Sequence, residues 1–408
     1  MKPKLANRNS CTGCGACAAS CVHDAILMKF DKNGFLVPTI DSTKCMGCKL
    51  CEKRCPIINT DKLRFSDPTV LENYTAWSLD EEICRQSSSG GVFSQIAIDF
   101  LANGNAKVYG AYLADNNTCY HIGVSKIEDL KKIIGTKYIQ SDATLSYREV
   151  KDDLKQGKAV FYCGTPCQIA ALHAFLNYKE YDNLYTAELI CHGVNSKLAA
   201  DFATSFQNAD HIVSFRDKTD GWCLSGLRRV CFHCTYESKS DKGVTYIKTT
   251  QNRDAYYRMF ATTHRTACYD CKFTHIERVA DITLGDQWGL SRDVPERSFL
   301  GASLVLCNTQ KGKLMLKKSQ GLYKSLNSNS TLNAYPLFAP AVHRLMSISN
   351  RLWLYKKMPV AIAKPILLGL WKKNWLIILK KIFNTLIDKY NTKKIQNNIN
   401  KTRKKYGW

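Results

Sequence analysis

The apolar runs of the C-terminal tail are too short and too often broken by lysine to span a bilayer. No Gly-x-Gly-x-x-Gly segment occurs, so the Rossmann dinucleotide fingerprint is absent. The start, Met1-Lys-Pro-Lys-Leu-Ala-Asn7, has no apolar secretory core, which points to the cytoplasm and a reducing environment. Acidic residues are scarce: 35 Asp and Glu face 58 Lys and Arg, a formal net charge of +23 over 408 residues. The excess is uneven. From Arg351 to Trp408 fifteen Lys or Arg stand against one acid, Asp388, so the body is only mildly basic. No nucleic-acid-binding module accompanies the charge, and no nucleic-acid partner is expected.

Cysteine, by contrast, is abundant at 19 residues. An odd number in a reducing compartment argues for metal or redox chemistry over disulfides. Eight of them form two matched runs, Cys11-x2-Cys14-x2-Cys17-x3-Cys21 and Cys45-x2-Cys48-x2-Cys51-x3-Cys55-Pro56. This is the bacterial two-cluster ferredoxin spacing. Three cysteines on a tight loop can hold three irons of a cubane, but the chain cannot turn sharply enough to supply the fourth ligand. That ligand crosses over from the other run. The expected sets are Cys11, Cys14, Cys17 and Cys55 for cluster I, and Cys45, Cys48, Cys51 and Cys21 for cluster II. Gly13, Gly15 and Gly47 let the backbone pass close to the sulfides. Asp31-Lys-Asn-Gly34, between two short apolar segments, reads as a hairpin turn. Zinc would call for paired ligands and not two matched runs of four.

Beyond a polar linker from Thr60 to Pro68, strand, turn and helix alternate, which predicts an α/β body with ligand sites at strand-to-helix turns. Strands are expected at Tyr74–Leu79, Lys107–Leu113, Ala159–Cys163, Leu184–Ile190 and Ser303–Thr309. Helices are expected from Val92 to Leu101, Ile127 to Ile134, Tyr147 to Lys155 and Ile169 to Leu176, with a β-rich stretch over Ile212–Lys248. The predicted class is an α+β ferredoxin-like domain, then an α/β body, then a helical basic tail. The corresponding spans are 1–62, 70–165 and 166–325 for two halves of the body, and 340–408. Ser89-Gly90-Gly91 stands at a helix start, where free N–H groups and the dipole favour a phosphate; a plain N-cap with a tight turn is the other reading. His192 has the pKa range to protonate a substrate, against the alternative of a structural histidine.

In the order Ser89-Gly-Gly-Val92, Gly135-Thr-Lys-Tyr138, Gly164-Thr-Pro-Cys-Gln168, Cys191-His-Gly193, Cys268-x2-Cys271 and Ala280-Asp-Ile-Thr-Leu-Gly-Asp-Gln-Trp-Gly289, the body resembles the β subunits of coenzyme F-420 hydrogenase and dehydrogenase, which are iron–sulfur flavoproteins. With the ferredoxin module in front, it is similar to bacterial members found beside polysaccharide-synthesis enzymes and to the plant enzyme that reduces hydroxymethyl chlorophyll. The resemblance implies FAD and a third 4Fe–4S cluster on Cys167, Cys191, Cys268 and Cys271. A structural zinc on the same thiolates, or Cys163 in place of a ligand, are the alternatives. It also implies a flavin site formed by Ser89, Gly90, Gly91, Thr136, Lys137, Tyr138, Asp286 and Trp288. There Lys137 would neutralise the pyrophosphate or stabilise reduced flavin. Lys137 and His192 are the catalytic candidates. Gln287 stands where many members have an aromatic.

In the tail, Trp375, Ile378, Leu379, Ile382, Phe383 and Leu386 form one helical stripe beside lysines. It suits docking on the body or peripheral contact with an anionic inner membrane face. The expected function is an oxidoreductase that passes electrons from its ferredoxin-type clusters through FAD to a small-molecule or lipid-linked acceptor. The acceptor is a deazaflavin or a polysaccharide-biosynthesis intermediate, and a redox protein is the partner. The alternative is a non-catalytic electron-transfer component of a larger complex.

Overall fold

The computed structural model describes residues 3–67, 72–218, 233–241, 243–250, 254–260, 263–287 and 300–326. The tail expected over 340–408 and the candidate Trp288 lie outside the described residues. Among the described residues no helix is long and apolar enough to cross a membrane.

The ferredoxin-like region contributes β1 (Ile26–Phe30) and β2 (Leu36–Ile40), an antiparallel pair joined through Asp31–Gly34. Gly34 takes the left-handed conformation that this turn requires, at φ 76°. The body follows with β3 (Glu72–Ser78), β4 (Ala106–Leu113), β5 (Cys119–Val124), β6 (Ser141–Asp142), β7 (Ala159–Gly164) and β8 (Leu184–Leu189). Then come β9 (His211–Asp217), β10 (His233–Ser240), β11 (Gly243–Thr250), β12 (Ile282–Asp286), β13 (Ser303–Cys307) and β14 (Leu322–Leu326). Nine strands form one mixed sheet in the order β14-β3-β13-β12-β8-β7-β4-β5-β6. Its centre, β12-β8-β7-β4, is parallel. Both expected halves of the body supply this sheet, since β3 lies between β13 and β14. The expected β-rich stretch is a separate antiparallel sheet, β11-β10-β9.

Apolar side chains on both faces explain why the central strands are buried throughout. Tyr109, Val160 and Tyr162 join one core with helices Thr144–Lys155 and Pro166–Phe175. Val108, Phe161, Cys163 and Ala187 join the other with helix Val92–Ala102. The helix expected over Ile127–Ile134 is a shorter 3-10 turn, Ile127–Lys132.

The ferredoxin-like region is clamped to the body. Ala16, Ala19 and Leu63 enter the body's first core. Leu63 belongs to the stretch expected as a linker, and Ser66 exchanges two hydrogen bonds with Arg278: its N–H reaches Arg278 O at 2.8 Å, and its hydroxyl accepts from Arg278 N at 2.9 Å. The first cysteine loop is held by its carbonyls. Arg265 donates to Cys11 O at 2.7 Å, to Leu36 O at 2.9 Å and to Gln140 Oε1 at 3.1 Å. Gln140 in turn donates to Thr12 O and Gly13 O, both at 3.2 Å. A Cβ on Gly13 would sit 2.3 Å from Gln140 Nε2, so only glycine permits this approach. Arg148 donates to Ala18 O, Ala19 O and Cys21 O at 2.9–3.1 Å.

Replacing Arg265 by Met removes three charge-assisted hydrogen bonds and leaves buried carbonyls unsatisfied. We expect a loss of about 3 kcal/mol in denaturant unfolding. Unchanged stability would show that this clamp contributes nothing.

Candidate functional site

The crossing of the two cysteine runs is visible in one cavity. It is lined by Cys11, Cys14 and Cys17 from the first run and Cys55 from the second. Gly13 and Gly15 turn this loop with φ 66° and 84°. The Cys17 thiol is pushed well up by burial and by the charges of Cys14, Cys11 and Cys55. The Cys14, Cys17 and Cys55 thiols, raised by burial and by neighbouring thiol charges, are unfavourable as free thiolates, and with Cys11 they fit a cationic iron–sulfur core. At the other end Cys51 and Cys21 pack in one apolar cluster, and Cys48 is exposed.

Cys167, Cys191, Cys268 and Cys271, far apart in sequence, come together. Cys167 follows β7 at the start of a helix capped by Thr165, and Cys191 follows β8, so both stand beyond the carboxyl ends of parallel strands. Cys268 and Cys271 come from a 3-10 turn and its C-cap. Burial raises the Cys167 thiol, with the charges of Cys271, Cys191 and Cys268 adding to it. Burial pushes Cys268 to about 12, with Cys191 and Cys271 next, and Cys191 to about 11, where Cys271 contributes too. Among the described residues no three His, Cys, Asp or Glu side chains close on a point as a single ion requires. The grouping therefore rests on mutual proximity and not on a finished coordination shell. Cys163 stands apart, in the core on the opposite face of the sheet, where its charged neighbour is Lys137.

The two thiol groups adjoin. Burial and then the charges of Cys55, Cys167 and Cys11 push the Cys14 thiol upward, so Cys167 lies within electrostatic reach of the first group. Buried Tyr147 spans the gap, its hydroxyl 3.1 Å from Cys14 O and 3.2 Å from Gln168 O.

Most of the remaining candidates gather beyond the same strand ends. Thr136 N donates to Ser88 Oγ at 2.7 Å, which joins the loop before helix Val92–Ala102 to the segment after the 3-10 turn. Ser89 Oγ donates to Ala302 O, and Gly90 N donates to Ser303 Oγ. A Cβ on Gly90 would lie 2.6 Å from Ala76 O, so close strand packing already demands a glycine there. Gly91, at φ 79°, precedes the helix without a side-chain cap. Asp286 closes β12 and pairs with Arg216 at 2.8 Å, and Arg216 also reaches Tyr138 Oη at 3.4 Å. His192 keeps contact with solvent; the protein around its ring lowers its pKa, and the Asp286 carboxylate opposes the shift. Lys137 points elsewhere. Its ammonium donates to Ile134 O at 2.7 Å, and burial lowers it to about 8 beside Cys119 and Cys163.

Three residues here had not been singled out as ligands: Arg216, Lys218 and Gln287. Lys218 donates to Ser89 O at 2.7 Å and Leu300 O at 2.6 Å, and burial lowers its pKa to about 7. Gln287 is 1% exposed, yet neither amide atom has a hydrogen-bond partner among the described residues. Its main chain bonds Ala302 O, the same carbonyl that Ser89 uses. Buried cations beside an unsatisfied amide fit an anionic ligand with hydrogen-bonding edges. The one signal available in sequence was Gln287, polar where the resemblance expects an aromatic.

Comparison with known proteins gives two family matches. The family described as the C terminus of the coenzyme F420 hydrogenase/dehydrogenase beta subunit matches residues 157–325, and a 4Fe-4S dicluster domain matches residues 10–57. The chain is 42% identical over 67 residues to an iron-sulfur subunit of the CoB--CoM heterodisulfide reductase of Methanocaldococcus jannaschii, covering 13% of this chain and 10% of that protein. It is 23% identical over 299 residues to a subunit of the F(420)H(2) dehydrogenase of Methanosarcina mazei, covering 70% of this chain and 78% of that one. In the solved structure of the F420-reducing [NiFe] hydrogenase complex from Methanosarcina barkeri, one polypeptide aligns at TM-score 0.42 with 18% identity, over 65% of this chain and 83% of its own length. The 157–325 match contains Cys167, Cys191, Cys268 and Cys271, and the 10–57 match contains all eight cysteines of the paired runs. On these grounds residues 157–325 belong with the C-terminal part of the coenzyme F420 hydrogenase/dehydrogenase beta subunit, and residues 10–57 are a 4Fe-4S dicluster domain.

Proposed function

We propose that this iron–sulfur protein is a flavoprotein oxidoreductase that moves electrons between a redox protein and a small acceptor. The observation that carries the reading is the packing of Cys14 and Cys167 against one core, where the Tyr147 hydroxyl bridges Cys14 O and Gln168 O. It puts the two buried thiol groups next to each other, and the second group lies at the strand ends that also carry the candidate flavin residues. In this reading Cys167, Cys191, Cys268 and Cys271 hold a third 4Fe–4S cluster. FAD sits against Ser89, Gly90, Gly91, Thr136, Tyr138, Asp286, Lys218 and Gln287, and it supplies the exchange between one-electron and two-electron chemistry. Arg216 fixes Asp286. Lys218 fixes the Ser89 loop and places a cation beside the ligand's phosphates. His192, open to solvent beside Asp286, is placed to hand a proton to the acceptor. Lys137, bound to main-chain carbonyls, acts by charge and not by contact. The relative named for F(420)H(2) supports a deazaflavin acceptor, and nothing among the described residues favours a sugar-related or lipid-linked one over it.

A second reading is a non-catalytic electron-transfer component of a larger complex; both curated relatives are named as subunits. Turnover of a candidate acceptor by the purified chain with dithionite as reductant decides for the enzyme, and turnover only after a partner is added decides for the electron-transfer role.

Anaerobic protein should carry about twelve irons, three cubanes of four, and Cys191→Ser about eight. Iron and sulfide analysis checks both values, and zinc in place of iron would end the redox reading. Gln287→Leu separates ligand binding from stability. Removing a buried unsatisfied amide should raise the apoprotein's unfolding free energy by about 1 kcal/mol. Loss of its hydrogen bonds should weaken FAD binding by about tenfold, read by flavin fluorescence titration. An unchanged flavin affinity would remove Gln287 from the site.

A further inference from the structure

The pocket of cluster I lies within the ferredoxin-like region, on a loop whose carbonyls the body holds, whereas the opposite end of that region is open. Cys48 is the one exposed cysteine among those described. Val22 and Met46, 75% and 73% exposed, are the most exposed large apolar side chains among the described residues. Each directly follows a cluster II ligand, Cys21 and Cys45. Single exposed apolar residues are ordinary, but two beside the ligands of one cluster are a patch at an electron exit.

The exposed charge around this patch is mainly basic. Lys44, Lys49 and Lys53 are exposed on the loop that carries the second cysteine run. The nearby acids are each engaged: Asp24 with Arg148 at 2.8 Å, Glu52 with the Lys4 amide at 2.6 Å, and Asp41 with Thr43 Oγ1 at 2.6 Å. The loops of Val22 and Met46 share a rim, because Asp41 N donates to Ala25 O at 2.8 Å and Cys21 and Cys51 pack in one apolar cluster.

We infer that this rim, Val22 and Met46 within a ring of Lys44, Lys49 and Lys53, is the docking surface for a small acidic electron-carrier protein that exchanges electrons with cluster II. The inference rests on the redox reading above. Electron-transfer complexes are small and transient, and a modest apolar centre inside a charged ring suits them: the ring steers encounter, and the centre excludes water over the exposed ligand.

The test uses the full chain, prepared anaerobically, with a reduced acidic bacterial ferredoxin as probe and stopped-flow absorbance as readout. The second-order reduction rate should fall as salt rises. It should drop about tenfold or more in the triple variant K44E, K49E, K53E, and again in V22D, M46D. Charge reversal at Lys126 and Lys131, exposed lysines of the body, should leave it unchanged. Dithionite, a small reductant, should reduce every variant to the same final extent, which shows that the clusters are intact. Parental ferredoxin rates in the rim variants overturn the docking surface while leaving the redox reading in place. Protein that holds no iron overturns both. Dimers in sedimentation that V22D, M46D disperses would assign the patch to a second copy of this chain and also overturn the proposal.

Discussion

Thiolates repel one another, and burial removes the water that would screen them. That constraint organises the whole molecule. Around Cys14 and again around Cys167, several sulfurs share an apolar setting in which each makes the next harder to ionise. Free thiolates would not stay so placed, whereas a cluster's positive irons turn the repulsion into attraction. The fold supplies what such a grouping needs. Rigid strand ends present Cys167 and Cys191, glycines let the first loop curl, and side chains from the body satisfy the carbonyls that the curled loop cannot pair within itself.

Arg265, Gln140 and Arg148 bind almost entirely to main-chain oxygens of the first cysteine run. This makes the ferredoxin-like region part of the body and not an appendage. A free two-cluster ferredoxin exposes both of its ends. Here one end is held on the body beside another thiol group, and the other end remains uncovered. The buried pair Arg278 and Glu188 works to the same end near Cys191. Its cation lies in the loop between the Cys268–Cys271 turn and β12, and its anion on β8, so the two elements that bring thiols together are also tied by charge.

The eight cysteines of the paired runs were legible because their spacing is local: a cubane dictates it within a few residues of chain. The parallel centre of the sheet was legible for a similar reason, since strands buried on both faces read as continuous apolar runs, as in Ala159–Cys163. Cys163 itself was decidable. In β7 Val160 and Tyr162 enter one core and Phe161 and Cys163 the other, and period-two alternation alone puts Cys163 away from a group held beyond the strand's end. Arg216, Lys218 and Arg265 were not legible. A lone basic residue in a strand or turn looks like any surface charge until the fold places it against a partner distant in sequence, the Asp286 carboxylate for Arg216 and main-chain carbonyls for Lys218 and Arg265.

Helix Lys197–Gln207 and β5 were passed over for another physical reason. Alanine fills the buried positions of the helix, Ala199, Ala200 and Ala203, so its apolar stripe is weak in sequence although it is fully buried in the fold. Small residues of this kind let elements approach closely. The close approach brings Ser196 and Leu198 against Gly34, the hairpin turn of the ferredoxin-like region. A larger residue at Gly34 would push the hairpin off the body, and with it β2, whose Leu36 carbonyl Arg265 holds. Placement of the first thiol group against the second thus depends on a glycine and an alanine-rich helix that themselves contain no redox chemistry.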